Sequence, residues 1–338
     1  MAHEIHESDR FGYVGKPGWH GLGKPLPEGI DTEKAFKRLG LDWSTELLPI
    51  YGKTNEKSPA GGDMLIEVPN YRVHIRSDTK RTLGIVRDTY QPMQNLELAR
   101  FADSLAGADS AVTVETAGSL YNSRRIFALV KLPYHVHAAA EDRLDTYVLV
   151  SNGHGGVASF STWPTSVRVV CANTMRMSTR DAGKGIRFRH TGDFEEKVRM
   201  ARAVLGTAQK ETELFGERVK ALVSKGMNTA TLREFMEKAW EITYGRISTV
   251  SKESMAATIE RRDAQIEEWL GMMENERNSI KGIRGSLWSA YNAVTEWHDH
   301  VRGRTLDVKR SSARQHANLF GVSAVAKTKT FRHAMTLV

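Results

Sequence analysis

Asp63–Val68 reads DMLIEV, Tyr71–Arg76 reads YRVHIR and Thr82–Arg87 reads TLGIVR. Each run is rich in β-branched or aromatic residues, and the links between them are turn formers: Pro69-Asn70 first, then Ser77-Asp78-Thr79-Lys80. Strands joined by links this short pair antiparallel, so the stretch predicts a β-meander. Directly after it, Gln94–Ala106 sets Leu96, Ala99, Phe101, Ala102 and Leu105 near helical spacing, with Gly107 as a stop. That spacing predicts a helix packed on the meander.

Further strands are expected at Ala111–Thr116, Arg125–Leu132, Thr146–Ser151, Ala158–Thr162, Ser166–Val170 and Gly185–His190. From Asp193 the texture changes to long amphipathic stretches: Phe194–Lys225, Thr231–Tyr244, Ser251–Glu276, Ser286–Arg302 and Ser311–Phe320. Asp193 and Thr229 are suited to start helices. The fold class read from this pattern is α+β: an N-terminal antiparallel β-meander with a packed helix, then a largely α-helical C-terminal half. The boundary falls near residue 192, giving a β-rich region 1–192 and a helical region 193–338 with a basic C-terminal segment. Lys53–Gly62 (KTNEKSPAGG) reads as the flexible excursion, and no internal repeat is found.

A chain of 338 residues that is 40% hydrophobic can bury a substantial core. Its single cysteine, Cys171, excludes an internal disulfide and points to a reducing compartment. Cys171 ends an apolar run and reads as a small buried hydrophobe. The N-terminus has no apolar run of signal-peptide length, and no stretch is long and uncharged enough to span a bilayer. A soluble protein of the bacterial cytoplasm, with no membrane partner, is the expectation.

The net charge is +8, and its distribution is uneven. Residues 168–190 carry Arg168, Arg176, Arg180, Lys184, Arg187 and Arg189 against Asp181, a local +5. Residues 302–338 carry eight cations, among them Arg310, Arg314, Lys327 and Lys329, against Asp307, a local +7. The rest of the chain is therefore acidic, which points to a polyanion-binding face.

In the first basic segment aromatic and cationic residues interleave from Trp163 to His190. Arginines neutralise phosphates, while Trp163 and Phe188 could offer stacking surfaces to bases, the combination expected of a single-strand binder. The competing reading is a strand with Arg187 and Arg189 on its wet face. The later segment has less aromatic content, so Arg310, Arg314, Lys327 and Lys329 are read as auxiliary contacts or a subunit contact.

Other motifs carry less. Trp19-His20-Gly21-Leu22-Gly23 lacks the ending of a phosphate-binding loop, so Trp19 reads as an anchor for the N-terminal arm. Ser151-Asn152-Gly153-His154-Gly155-Gly156 has hairpin chemistry, since Asn and Gly accept positive φ. His298-Asp299-His300 sets its imidazoles two residues apart, on different faces of a helix, which is poor spacing for one metal ion. No catalytic residue, metal site or cofactor is expected.

Gly84-Ile-Val-Arg-Asp-Thr-Tyr-Gln-Pro-Met-Gln-Asn95, Glu115-Thr-Ala-Gly-Ser-Leu120, Val148-Leu-Val-Ser-Asn-Gly-His154, Pro164-Thr-Ser-Val-Arg-Val-Val-Cys-Ala-Asn-Thr174 and Arg189-His-Thr-Gly192 resemble the phrases of a phage/plasmid-like family of unknown function. Trp19–Gly23 and Ala290–Glu296 resemble the same family's ends, so the likeness runs nearly full length. It implies an origin on a phage or plasmid and supplies no catalytic motif. A strand meander, a helix and a basic surface are also similar, at the level of architecture, to single-strand annealing proteins of the RecT/Redβ/Erf type.

Together these readings predict a phage- or plasmid-encoded protein that binds and anneals single-stranded DNA in homologous recombination, acting as a homo-oligomeric ring or filament without nucleotide hydrolysis. RNA is a second possible ligand, and a host or phage recombination protein a possible partner. The alternative is a module that binds a host protein or assembly, in counter-defence or regulation.

Overall fold

The computed structural model describes residues 10–15, 23–58, 61–106, 113–168, 173–176, 186–188, 199, 208–303 and 317–338, with 167–168, 173–176, 186–188 and 208–209 as backbone only. The expected meander is present as a three-stranded antiparallel sheet of β3 (Thr45–Lys57), β4 (Asp63–Arg76) and β5 (Thr82–Arg87). Its composition differs from the expectation. DMLIEV and YRVHIR are one strand, β4, and the missing partner is β3, which takes up half of the stretch read as a flexible excursion. Pro69-Asn70 is a bulge instead of a turn. Pro49 pairs with Arg72 but Tyr51 pairs with Glu67, so β4 spends extra residues where β3 spends few. Asn70 absorbs the kink at φ 63°, and its carbonyl accepts the Asp88 N–H at 3.1 Å.

A larger sheet runs β10-β9-β8-β7-β6-β1-β2, with β11 also pairing β9. Its strands are β1 (Phe11–Val14), β2 (Lys24–Leu26), β6 (Thr113–Leu120), β7 (Arg125–Ala139), β8 (Asp142–Gly153), β9 (Phe160–Arg168), β10 (Asn173–Arg176) and β11 (Ile186–Phe188). The two short strands expected at 158–162 and 166–170 merge into β9 across Pro164. That proline lies between the β11 and β10 pairings, a position where the margin needs no ladder bond.

Two helices cover one face of this sheet: α1 (Thr32–Leu39) and α2 (Asn95–Asp103). Asp31 caps α1 by accepting the Lys34 N–H at 2.7 Å, and Gly40 ends it in the left-handed region. The helix expected at 94–106 is α2, whose Leu98, Ala99, Phe101 and Ala102 join Phe36, Val130 and Val148 in the core. It packs on α1 and on the large sheet, and reaches the small one through Gln94, which exchanges bonds with the Thr45 backbone.

The second half is helical as expected: α3 (Ala208–Ser224), α4 (Thr229–Tyr244), α5 (Lys252–Met273) and α6 (Leu287–Glu296), the last running into a π turn at Trp297–Val301. Asn228, one residue before the expected start, caps α4. Residues 322–338, read as part of a basic segment, instead form α7 (Val322–Ala334) and dock against α4 and α6. Trp269, Trp288, Tyr291 and Phe331 build a core that also takes in Val136 of β7 and Leu144 of β8. Asp142, fully buried, accepts the Trp288 indole N–H at 2.9 Å and ties α6 to the start of β8.

No helix among the described residues is long and apolar enough to cross a membrane.

Candidate nucleic-acid interface

Strand pairing gathers part of the first basic segment. Along one edge β9 pairs with β8; along the other it receives β10 over Thr165–Arg168 and β11 over Phe160–Thr162. The registers set Arg168 opposite Asn173, Arg176 opposite Thr165, Arg187 opposite Ser161 and Phe188 opposite Phe160. Arg176 and Arg187 thus occupy backbone positions along the outer margin of β9, while Arg168 is a β9 position between Leu144 of β8 and Asn173 of β10. Arg180, Lys184, Arg189, Arg310 and Arg314 lie outside the described residues, as do Cys171, Asp193 and 19–22 of the tryptophan–glycine motif.

Trp163 does not serve as a stacking surface. It is 4% exposed and packs with Phe11, Phe127 and Leu149 beneath Phe320, whose ring meets it edge-on at 5.9 Å. An indole covered by core side chains offers no face to a base, so the expected role is corrected to packing. Its place opposite Leu149 in the middle of the sheet is the cause.

Lys327 is corrected in the same way. At 2% exposure its ammonium sits 2.5 Å from the buried Asp299 carboxylate, an internal ion pair that reaches no external phosphate. Lys329, on the same helix, is exposed.

Polar side chains that sequence reasoning missed stand near the β9 margin. The register runs His137 to Arg143 and Val136 to Leu144 to Arg168, placing His135, His137 and Arg143 at the sheet end where β9 meets β10. Both histidines are exposed and their rings meet edge to face at 5.3 Å. Arg143 and Lys131 grip the buried Asp145 at 2.6 and 2.5 Å. Burial pushes the neighbouring Glu115 carboxyl up, with Lys131 opposing and Asp145 adding, and burial likewise raises the Tyr147 hydroxyl. The period-two spacing of Lys131, His135 and His137 was the available signal for these residues.

The motif histidines have structural roles. His154 follows the β8 end, and Gly155 and Gly156 turn the chain at φ 63° and 79°. There is no room for a side chain on Gly155, because an added Cβ would come within 2.2 Å of the Leu83 carbonyl oxygen. His154 Nε2 lies 2.8 Å from Asn95 Oδ1, and the Asn95 amide donates to the Leu41 and Trp43 carbonyls at 2.8 and 3.2 Å. His74 accepts the Gly155 N–H on Nδ1 at 3.0 Å, and its ring meets His154 edge-on at 5.5 Å. The hub joins β4, α2 and the β8–β9 link, all fully buried at its centre.

His298 and Asp299 are buried in the π turn. His298 lies 3.3 Å from Thr243 Oγ1, and burial first, then Lys327 and Arg302, lowers its imidazole to about 3. Among the described residues no group of three or more His, Cys, Asp or Glu is arranged to hold a metal ion. The groove between α4 and the end of α7 carries Glu234, Glu237 and Glu241 beside Lys225 and Lys238, the wrong balance for a polyanion.

Residues 82–320 match a family described as a domain of unknown function, DUF932. No curated protein and no solved structure matches the chain.

Proposed function

We propose, for a chain that belongs to the DUF932 family, that it binds single-stranded DNA along the outer margin of β9 and brings complementary strands together without hydrolysing nucleotide. The observation that supports this reading is the strand register that sets Arg176 of β10 and Arg187 of β11 along the outer margin of β9, with Arg168 at the end of β9 between β8 and β10. They belong to a segment of local charge +5, with exposed His135, His137 and Arg143 at the same sheet end. Cations spaced along a strand neutralise phosphates one at a time and leave base edges free to sample partners. With Trp163 in the core, the affinity rests on backbone charge, so binding tolerates sequence and depends steeply on salt. A phage or plasmid setting, where recombination proteins act on exposed single strands, is the one this activity fits. The likeness to annealing proteins of the RecT/Redβ/Erf type is one of architecture.

Fluorescence anisotropy of a labelled oligonucleotide across a salt series tests the reading. The expected plot of log affinity against log salt has a negative slope of about 0.7 per phosphate neutralised. Replacing Arg168, Arg176 and Arg187 together by Ala should flatten it by about 2. Absence of binding at low salt, or a slope near zero, overturns the proposal. Competition with the ribo-oligonucleotide separates DNA from RNA preference.

A further inference from the structure

The small sheet presents an outward face that, apart from Ile75 at its end, the described residues leave open. Val73 of β4 pairs with Leu48 on one side and Ile85 on the other, and Tyr71 follows two residues along the strand. Leu48, Tyr71 and Ile85 are all exposed, Ile85 at 63%. The inner face, by contrast, holds His74, Arg76, Thr45 and Val86, which are buried. Beyond the bulge β5 has ended, and β3 and β4 continue as a two-stranded arm. Gly52 sits opposite Ile66 there, and counted along β3 it shares the face of Leu48, so Ile66, Met64 and Val68 extend the same surface. All three are exposed. A free two-stranded ribbon is marginal in water, and an arm that shows large aliphatic side chains on its open face is built to be covered.

Its charge identifies what covers it. The hairpin 45–76 carries Lys53, Lys57, Arg72 and Arg76 against Glu46, Glu56, Asp63 and Glu67, no net charge on a chain of +8. These cations are already paired: Lys53 and Lys57 with Asp63, Arg72 with Glu67, and Arg76 with Asp78. Arg87 of β5, 5.8 Å over the Tyr71 ring, adds a single cation to this face, so a polyanion finds little charge there, whereas a second copy meets it with far less repulsion than the two basic segments would impose. Size agrees. From their fractional exposure, the six side chains Leu48, Met64, Ile66, Val68, Tyr71 and Ile85 leave on the order of 500 Å² of apolar area in water. A standard interface buries ~800 Å² per partner, of which about 65% is apolar in homodimers, again ~500 Å². A twofold axis through the patch makes it self-complementary.

We infer that the outer face of the β3–β4–β5 sheet, with its hairpin arm, is the surface through which two copies of this chain associate face to face. This surface lies on a different sheet from the β9 margin and does not rest on nucleic-acid binding.

The test is sedimentation velocity of the nuclease-treated full chain from about 1 to about 50 µM, in salt of about 0.1 M and about 1 M. The expected result is a monomer–dimer equilibrium that survives high salt, because apolar contact is not screened. Leu48→Lys with Ile85→Lys, both exposed positions, should leave monomers at every concentration, with circular dichroism showing an unchanged melt. Leu48→Ser with Ile85→Ser, a milder pair, should weaken association at least about tenfold and serves if the lysine pair does not fold. A wild-type monomer at the highest concentration, a dimer that dissociates in high salt, or serine and lysine variants that dimerise like wild type would each overturn the assignment. So would a wild-type chain that stays monomeric while capturing a different protein through this face.

Discussion

Replacing Lys327 by Met removes a cation from one of the most buried ion pairs in the protein while nearly preserving side-chain volume. The two partners are 3% and 5% exposed and 2.5 Å apart, so solvent does little to screen them. In Lys327→Met the buried Asp299 carboxylate loses this ammonium, a change that costs about 3–5 kcal/mol. With a guanidinium m-value on the order of 5 kcal/mol/M, the unfolding midpoint should fall by about 0.6–1 M. The double variant Lys327→Met with Asp299→Leu removes both charges, and most of the loss should return, giving a coupling of at least about 2 kcal/mol in the cycle. Equilibrium denaturation at fixed pH, followed by tryptophan fluorescence, supplies every corner of that cycle. If Lys327→Met costs under about 1 kcal/mol, or if the two single losses simply add, the pair is not the interior contact described. The same variant also checks the reassignment of this lysine. Its oligonucleotide salt slope should match wild type, whereas a slope reduced by about 0.7 would mean that Lys327 reaches a phosphate after all.

Gly155→Ala should cost at least about 2 kcal/mol by thermal or chemical melting, because a Cβ there meets the Leu83 backbone at φ 63°. Gly156→Ala, with open space at φ 79°, should cost only about 1 kcal/mol. Asn95→Ala strips His154 and two main-chain carbonyls of their shared partner and should destabilise by about 3 kcal/mol in the same assay. His298 is held neutral in the fold, its imidazole at about 3 against an ordinary 6.5. The unfolded chain therefore binds the proton first as pH falls, so stability is complete above about 6.5 and drains away between about 6.5 and about 3. His298→Gln should lose part of that slope, seen as a smaller drop in denaturation midpoint between pH 7 and pH 5.

The strand and helix content was legible because its signals are local. TLGIVR and the Arg125–Leu132 run are strands for the reasons their β-branched residues suggest, and 231–244 is helical to within two residues. Pro69-Asn70 misled because the same chemistry that turns a chain also absorbs a bulge, and only the partner strand decides between them. β3 went unseen because Pro49, Gly52 and the polar run after it interrupt the alternation that marks a strand. Lys327 was counted as surface charge because α7 reverses the ordinary pattern: Val322 and Val325 are exposed while Lys327 and Thr330 are buried. Trp163 stood next to arginines in sequence, yet β9 is flanked on both sides and covered by Phe320, so alternation does not show which of its residues meet solvent.

The bond from the Trp288 indole to Asp142 spans 146 residues. During synthesis at about 5–20 residues per second, β8 would leave the ribosome roughly 7–30 s before the tryptophan that covers its first carboxylate does. Through that interval Val136 and Leu144 also lack α6, so one end of the large sheet is an open apolar edge on a nascent chain. The interval from β8 to α6 is therefore when a chaperone is most useful to this protein, and when a slowed ribosome would do it most harm.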